Sequence, residues 1–329
     1  MISASIIIPA YRRIDQTLKT IDLILHSKGI NTDFNLEIIV SDASEDEKLH
    51  VEIIKTFADK IIYTRPSRPG IAANKNHGAS IATHPILIFC DSDMEVESQT
   101  ILNTLKFLQT HDRAAAVGGP VIWKGGPRAG SNDKPRAEDR MITEYETTFI
   151  EAIYSRYIAT YKEAFDAVGG YDETVFNMRG EGSDLSIRYW RAGFPLAFSQ
   201  DLTVHHVHDV EGGIIRNVPH PEYGIAKDML LLAYKYNMTD GEDKNFQKTV
   251  AANFKSFGED GYTRILEGIL YYYDFITSVK PILDKQRQNL KGIYDFKFLE
   301  IFTDKTLYTQ VLDESQKRLE SARSQSFHK

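Results

Sequence analysis

The chain has 329 residues, with 39 lysines and arginines against 46 aspartates and glutamates, a net charge of −7. That balance excludes the broad basic surface of a nucleic-acid binder, and 42% hydrophobic with 26% charged residues fits a globular protein of one main domain and an appendage. Its one cysteine, Cys90, allows no intrachain disulfide, no stretch approaches the ~20 apolar residues of a membrane span, and the opening MISASIIIPAYRR lacks the length and cleavage site of a signal peptide. The expected location is the cytoplasm, extending to peripheral contact with the inner face of a membrane.

The first 120 residues alternate two hydrophobic periods. Residues 5–8 read as a buried strand stopping at Pro9, and Ile14, Leu18, Ile21 and Leu25 follow at helical spacing. Residues 36–40 form a second strand. Val51, Ile54 and Phe57 mark a helix, 61–63 a short strand, 70–82 a helix, and Ile86–Cys90 a strongly apolar strand. Ile101, Leu102, Leu105 and Leu108 give the next helix and 114–117 the next strand. Continuous apolar strands alternating with amphipathic helices predict an α/β fold, a doubly wound, mostly parallel sheet covered on both faces. Ligands of such sheets bind outside the carboxyl ends of the strands. Residues 124–140, rich in Gly, Pro and charge, read as a long loop. Residues 142–158 read as an aromatic-rich helix, Gly169–Gly170 as a turn, and 184–192 and 221–236 as helices. Helical spacing dominates from Asp243 onward. The expected division is therefore a catalytic unit over 1–240 and a C-terminal helical region over 241–329, which binds acceptor, forms a homo-oligomer or touches a membrane.

Asp91 and Asp93 follow the strand Ile86–Cys90, and residues two apart in extended chain face one side. Two carboxylates there repel unless they share a cation. Mg²⁺ or Mn²⁺ bridging them to a diphosphate would stabilise a leaving nucleotide; a solvated turn or helix N-cap is the plainer reading. Asp42, past the second strand, offers hydrogen bonds to a base or ribose, or simply holds a turn. Tyr11 and Arg13, after Pro9, suit base stacking and phosphate contact, or an ordinary strand-to-helix loop. Glu181, in the run Arg179-Gly180-Glu181-Gly182-Ser183-Asp184, could take a proton from an acceptor hydroxyl, while Ser183 or Asp184 caps the helix that follows. His206 and His208 share one side of an extended segment, with His205 on the other. Their spacing matches no standard zinc pattern, and one histidine completing a site begun by the aspartates is more economical. No P-loop, dinucleotide fingerprint or nucleophile elbow is present.

The segments SIIIPAYRR, EIIVSDAS, GIAANKNHG, ILIFCDSD, AFDAVGGYDE, RGEGSDLSIRYWRAGF and DLTVHHVHD, in that order, resemble family 2 glycosyltransferases of the GT-A fold over about residues 3–240. The resemblance implies an inverting, metal-dependent enzyme of polysaccharide biosynthesis. It would move a sugar from a nucleotide-diphosphate donor, most simply a UDP-sugar, to a glycan or lipid-linked acceptor. It implies a donor-binding set of Pro9, Tyr11, Arg13, Asp42, Lys75, Asn76, Asp91, Ser92 and Gly170. It implies Mn²⁺ or Mg²⁺ held by Asp91, Asp93 and His206, with His208 as the rival histidine. The pattern departs from the family at Gly182, where an aspartate is frequent. The base then falls to Glu181 or Asp184, and Glu181, inside the turn, reaches further into the site. Two other readings stay open: a catalytically impaired nucleotide-sugar binding module, suggested by Gly182, and a sugar-phosphate nucleotidyltransferase, which would want a glycine- and arginine-rich loop after the first strand.

Overall fold

The computed structural model describes residues 1–126, 128–135, 141–207, 223–236, 261–289 and 304–327. Four strands, β1 (Ile2–Ala10), β2 (Phe34–Asp42), β3 (Ile62–Thr64) and β4 (Ile86–Cys90), form a parallel block in the order β3-β2-β1-β4. The helices α1 (Ile14–Leu25), α2 (Lys48–Phe57) and α3 (Ile71–Ile81) make the crossovers. Ile6, Ile7 and Ile8 are all buried because β1 is covered on both faces, which an unbroken apolar run requires. The strand does not stop at Pro9. Its pairing with β4 ends at Ile7 opposite Phe89, while its pairing with β2 continues to Ala10 opposite Asp42. A residue without an N–H is tolerated where one ladder has already ended. On α2 the buried stripe is Leu49, Ile53 and Phe57, and Val51 and Ile54 face outward.

Beyond β4 the sheet becomes mixed. β6 (Ala116–Gly118) follows α4 (Thr100–Thr110), and β11 (Tyr157–Tyr161) inserts antiparallel between β4 and β6. β12 (Leu196–Phe198) lies parallel to β6. The hairpin β9 (Met141–Glu144) and β10 (Thr147–Ile150) closes the far edge of nine strands. This hairpin and β11 replace the helix expected over 142–158. Tyr145 and Glu146 have φ of +52° and +61°, the left-handed pair of a two-residue hairpin turn, and the β-branched Thr143, Thr147 and Thr148 suit strands. A second sheet has the order β5-β13-β7-β8, from β5 (Met94–Val96), β7 (Val121–Lys124), β8 (Asn132–Asp133) and β13 (Val204–Val207). The stretch read as a loop from 124 therefore contains one short strand.

After β11 come α5 (Lys162–Ala167) and α6 (Glu181–Arg191), which begins three residues before its expected start. α7 (Tyr223–Lys235), α8 (Gly261–Tyr271), α9 (Tyr273–Gln288) and α10 (Lys305–Phe327) form the C-terminal helices. The last of these packs into the main core through Val311, Leu312, Leu319 and Ala322. Its Arg323 donates to the carbonyls of Leu108 and Gln109, both at 2.8 Å, capping the C-terminal turn of α4. No helix among the described residues is long and apolar enough to cross a membrane.

Candidate active site

β1, β2 and β4 end at Ala10, Asp42 and Cys90 along one edge of the sheet. β11 runs the opposite way with Tyr157 opposite Cys90, so the residues just before it, Ser155 and Arg156, arrive at that same edge. The N–H of Asp91 donates to the Arg156 carbonyl at 2.9 Å, tying the two segments together.

Asp91 and Asp93 are not alternate residues of a strand. The chain turns after Cys90, the N–H of Met94 donating to the Asp91 carbonyl at 3.1 Å. The two carboxylates accordingly meet different partners. Asp91 Oδ1 lies 3.1 Å from Lys75 Nζ. Asp93 pairs with Arg13, and its Oδ2 lies 3.3 Å from His206 Nε2. Burial pushes the Asp91 carboxyl above its ordinary pKa, helped by the Asp93 charge and opposed by Lys75. Burial acts on Asp93 too, but His206, Arg13 and Arg156 outweigh it and hold that carboxyl below the ordinary value.

His206 is delivered by strand register. β13 sets it opposite Met94 on β5, next to Asp93, and beside Trp123 on β7. The Trp123 and His206 rings lie 4.2 Å apart between centroids. The indole N–H donates to Asp133 at 2.8 Å, and Asp133 also pairs with Arg128 and Arg156. The imidazole is thus braced from behind, and its Nδ1 is buried without a hydrogen-bond partner. His205 points elsewhere, to Glu97 at 2.9 Å. His208 lies outside the described residues.

Among the described residues no three or more His, Cys, Asp or Glu side chains stand as a preformed metal cage. Asp93 and His206 nevertheless fit a cation. Their 3.3 Å separation is close to the about 3 Å between adjacent ligands of an octahedral ion with bonds of about 2.1 Å. Asp91, turned to Lys75, is not part of that pair.

Lys75 is fully buried. α3 approaches β1 closely because Gly78 sits on Ile7, where a Cβ would come within 2.4 Å of the isoleucine side chain. From there the lysine donates to the Ser155 carbonyl at 2.7 Å and lies 4.0 Å from Glu181 Oε1. A buried ammonium needs such partners. It stands between Asp91 and Glu181.

Glu181 opens α6 after Gly180, whose φ of +77° turns the chain into the helix. It is therefore a residue of the first helical turn and not of the loop before it. It is 8% exposed, and the Ser155 hydroxyl donates to its Oε1 at 2.7 Å. A Cβ on Gly182 would lie 3.0 Å from that of Ser155, so the space of the missing aspartate side chain is occupied by this serine.

Asp184, the alternative base, is enclosed in a buried network. It has no exposed surface, and its oxygens accept from Arg188 Nε at 2.8 Å, Lys235 Nζ at 2.5 Å and the Tyr236 hydroxyl at 2.7 Å. Breaking a buried pair strands the remaining charges, so Asp184→Asn is expected to cost about 3–5 kcal/mol in urea unfolding. A cost under about 1 kcal/mol, the scale of an exposed pair, would contradict this placement.

Several donor-binding candidates hold loops. Asp42 is buried, accepting from the N–H and hydroxyl of Ser44 at 2.9 and 2.5 Å and from the Tyr63 hydroxyl at 2.9 Å. The Asn76 carboxamide bonds both the N–H and carbonyl of Tyr171, each at 2.9 Å. That clamp fixes the Gly169–Gly170 turn, and a Cβ on Gly170, with φ of +66°, would lie 2.7 Å from Asn76 Oδ1. Ser92 is buried, and its carbonyl accepts from Thr20 at 3.0 Å. Pro9 and Tyr11 are half-buried at the end of β1, the tyrosine hydroxyl donating to Glu45 at 2.8 Å. Ser155, Arg156, Trp123 and Asp133 carry no motif. Their relevance comes from partners 10 to 83 positions away, which spacing does not disclose.

The sequence pattern described as glycosyl transferase family 2 matches residues 5–168. Human (Homo sapiens) polypeptide N-acetylgalactosaminyltransferase 3 is 28% identical over 205 residues, covering 52% of this chain and 31% of that protein. Bovine (Bos taurus) polypeptide N-acetylgalactosaminyltransferase 6 is 25% identical over 257 residues, covering 68% and 40%. The chain thus spans roughly a third of the length of such curated relatives. The crystal structure of GalNAc-T7 with UDP, GalNAc and Mn²⁺ superposes with a TM-score of 0.57 at 18% identity, over 83% of this chain and 57% of that one. This likeness gives the fold as GT-A, and on the matched sequence pattern the chain belongs to glycosyl transferase family 2.

Proposed function

We propose that this chain is a metal-dependent glycosyltransferase that moves a sugar from a UDP-linked donor to a hydroxyl of a glycan or lipid-linked acceptor. The observation that carries the reading is the placement of Lys75 between Asp91, at 3.1 Å, and Glu181, at 4.0 Å, beside the Asp93–His206 pair at the carboxyl edge of the sheet. The names of the relatives and the contents of the GalNAc-T7 crystal make UDP-GalNAc the first donor to try.

Asp93 and His206 would hold the cation, and a carboxylate with an imidazole suits Mn²⁺ better than Mg²⁺. When bound, such an ion neutralises the charge that develops on the departing diphosphate. Arg13, paired with Asp93, would offer its guanidinium to a phosphate oxygen of the donor. Lys75 stands as a counter-charge between the carboxylates of Asp91 and Glu181. Ser155 orients Glu181, which removes the proton from the attacking hydroxyl in a single displacement that inverts the anomeric centre. Residues 1–240 carry this donor chemistry, and the helices beyond them form the acceptor side.

UDP release from a panel of UDP-sugars, with Mn²⁺ and with chelator, is the test. Release that requires Mn²⁺ supports the reading, and binding of UDP-sugar without turnover would favour the impaired binding module that Gly182 suggests. Proton NMR of the first product should show an inverted anomeric centre; retention would overturn the single displacement by Glu181.

A further inference from the structure

A cavity of about 330 Å³ lies between the segment 173–179, α7 and α9, within the size range of small-molecule sites. The segment forming one wall runs straight into Gly180 and Glu181. Its Asn177 accepts from the N–H groups of Ala72 and Ala73, both at 3.0 Å, and so fixes the start of the helix that carries Lys75. α7, the second wall, touches the same turn, since a Cβ on Gly180 would lie 3.3 Å from the Asp228 carboxyl carbon. The cavity therefore shares two walls with the elements that position the proposed base.

Its chemistry is selective. Phe275 and Tyr272 supply ring surface, with the Lys227 ammonium 5.1 and 5.6 Å from their centroids. The charged groups come already paired. Arg68 donates to Glu173 at 2.8 and 3.2 Å, and Lys227 and Arg179 share Asp228, at 2.6 and 3.5 Å. Three cations thus meet two carboxylates, and donors and acceptors stand side by side with every cation beside a carboxylate. A phosphate group would want unpaired cations, and an alkyl chain would want no charges at all. Sugar hydroxyls need donors and acceptors together, while the C–H face of the ring packs on aromatic surface. We infer that this cavity receives a saccharide acceptor of one or two residues, an inference that rests on the glycosyltransferase reading.

Saturation-transfer NMR on the full chain, with methyl hexopyranosides and N-acetylhexosaminides as probes and methyl phosphate as comparison, measures binding without turnover. At least one glycoside is expected to bind. Phe275→Ala, at an exposed position, and Met178→Trp, which fills the cavity, should each weaken that binding about tenfold or more, with affinity for UDP and Mn²⁺ unchanged. No glycoside binding, equal binding by both variants, or binding of methyl phosphate alone would overturn the inference. A wild-type chain that binds glycosides in the cavity yet releases no UDP from any donor would sink the transferase reading while leaving a saccharide site. Transfer with an unchanged acceptor KM in both variants would sink the cavity assignment alone.

Discussion

Asp93→Ala is expected to lower Mn²⁺-dependent UDP release about a thousandfold, the loss of several kcal/mol of charge stabilisation on the leaving diphosphate. The geometry behind this is specific. Asp93 is 4% exposed, and its carboxyl is held ionised against burial by His206, Arg13 and Arg156. An alanine leaves the imidazole as the one side chain of the pair able to ligate a cation. It also leaves the Arg13 guanidinium without its carboxylate. Initial rates over a Mn²⁺ titration check the result, and an unchanged rate with an unchanged Mn²⁺ midpoint would remove the cation from the mechanism. Asp91, engaged by Lys75, should respond differently. Its loss leaves the lysine its bond to the Ser155 carbonyl, and the main expected change is in donor KM.

Glu181→Gln is expected to reduce kcat by at least ~100-fold with little change in donor KM, the pattern of a group that acts only in the transition state. Glutamine keeps the shape and can still accept from the Ser155 hydroxyl, so the turn at Gly180 should survive. Lys75 retains Asp91 as its counter-charge. The comparison with Asp184→Asn is diagnostic. One substitution should affect rate without stability, the other stability through a network of Arg188, Lys235 and Tyr236. Steady-state kinetics beside urea unfolding separates them, and a near-normal kcat in Glu181→Gln would place the base elsewhere.

Much of the donor-side fold was legible because period and burial agree there. The helix over Ile14–Leu25 and the strand Ile86–Cys90 coincide with the apolar patterns that announce them. The stretch 142–158 was not, because Ile142, Tyr145, Phe149 and Ile153 fall at helix-like intervals while the chain in fact reverses at Tyr145–Glu146. No glycine or asparagine marks that turn. The aspartate pair is legible from the strand it follows, but alternation along extended chain does not describe it, since the chain turns after Cys90 and the two carboxylates meet different partners. His206 was reachable from alternation along an extended segment, and the register with Met94 explains its approach to Asp93. Lys75 illustrates what sequence withholds. Its full burial, and its place between the carboxylate that follows β4 and a helix-start glutamate, depend on how closely α3 lies on β1. Asp42, Asn76 and Asp184 show the converse, polar residues whose hydrogen bonds are spent on turns and packing.

The proposed mechanism requires a divalent ion held between one carboxylate, Asp93, and one imidazole, His206. Electron paramagnetic resonance of Mn²⁺ with UDP present should report one tightly bound ion per chain, lost or much weakened in both Asp93→Ala and His206→Ala. Equal occupancy in the wild-type chain and the two variants would contradict it.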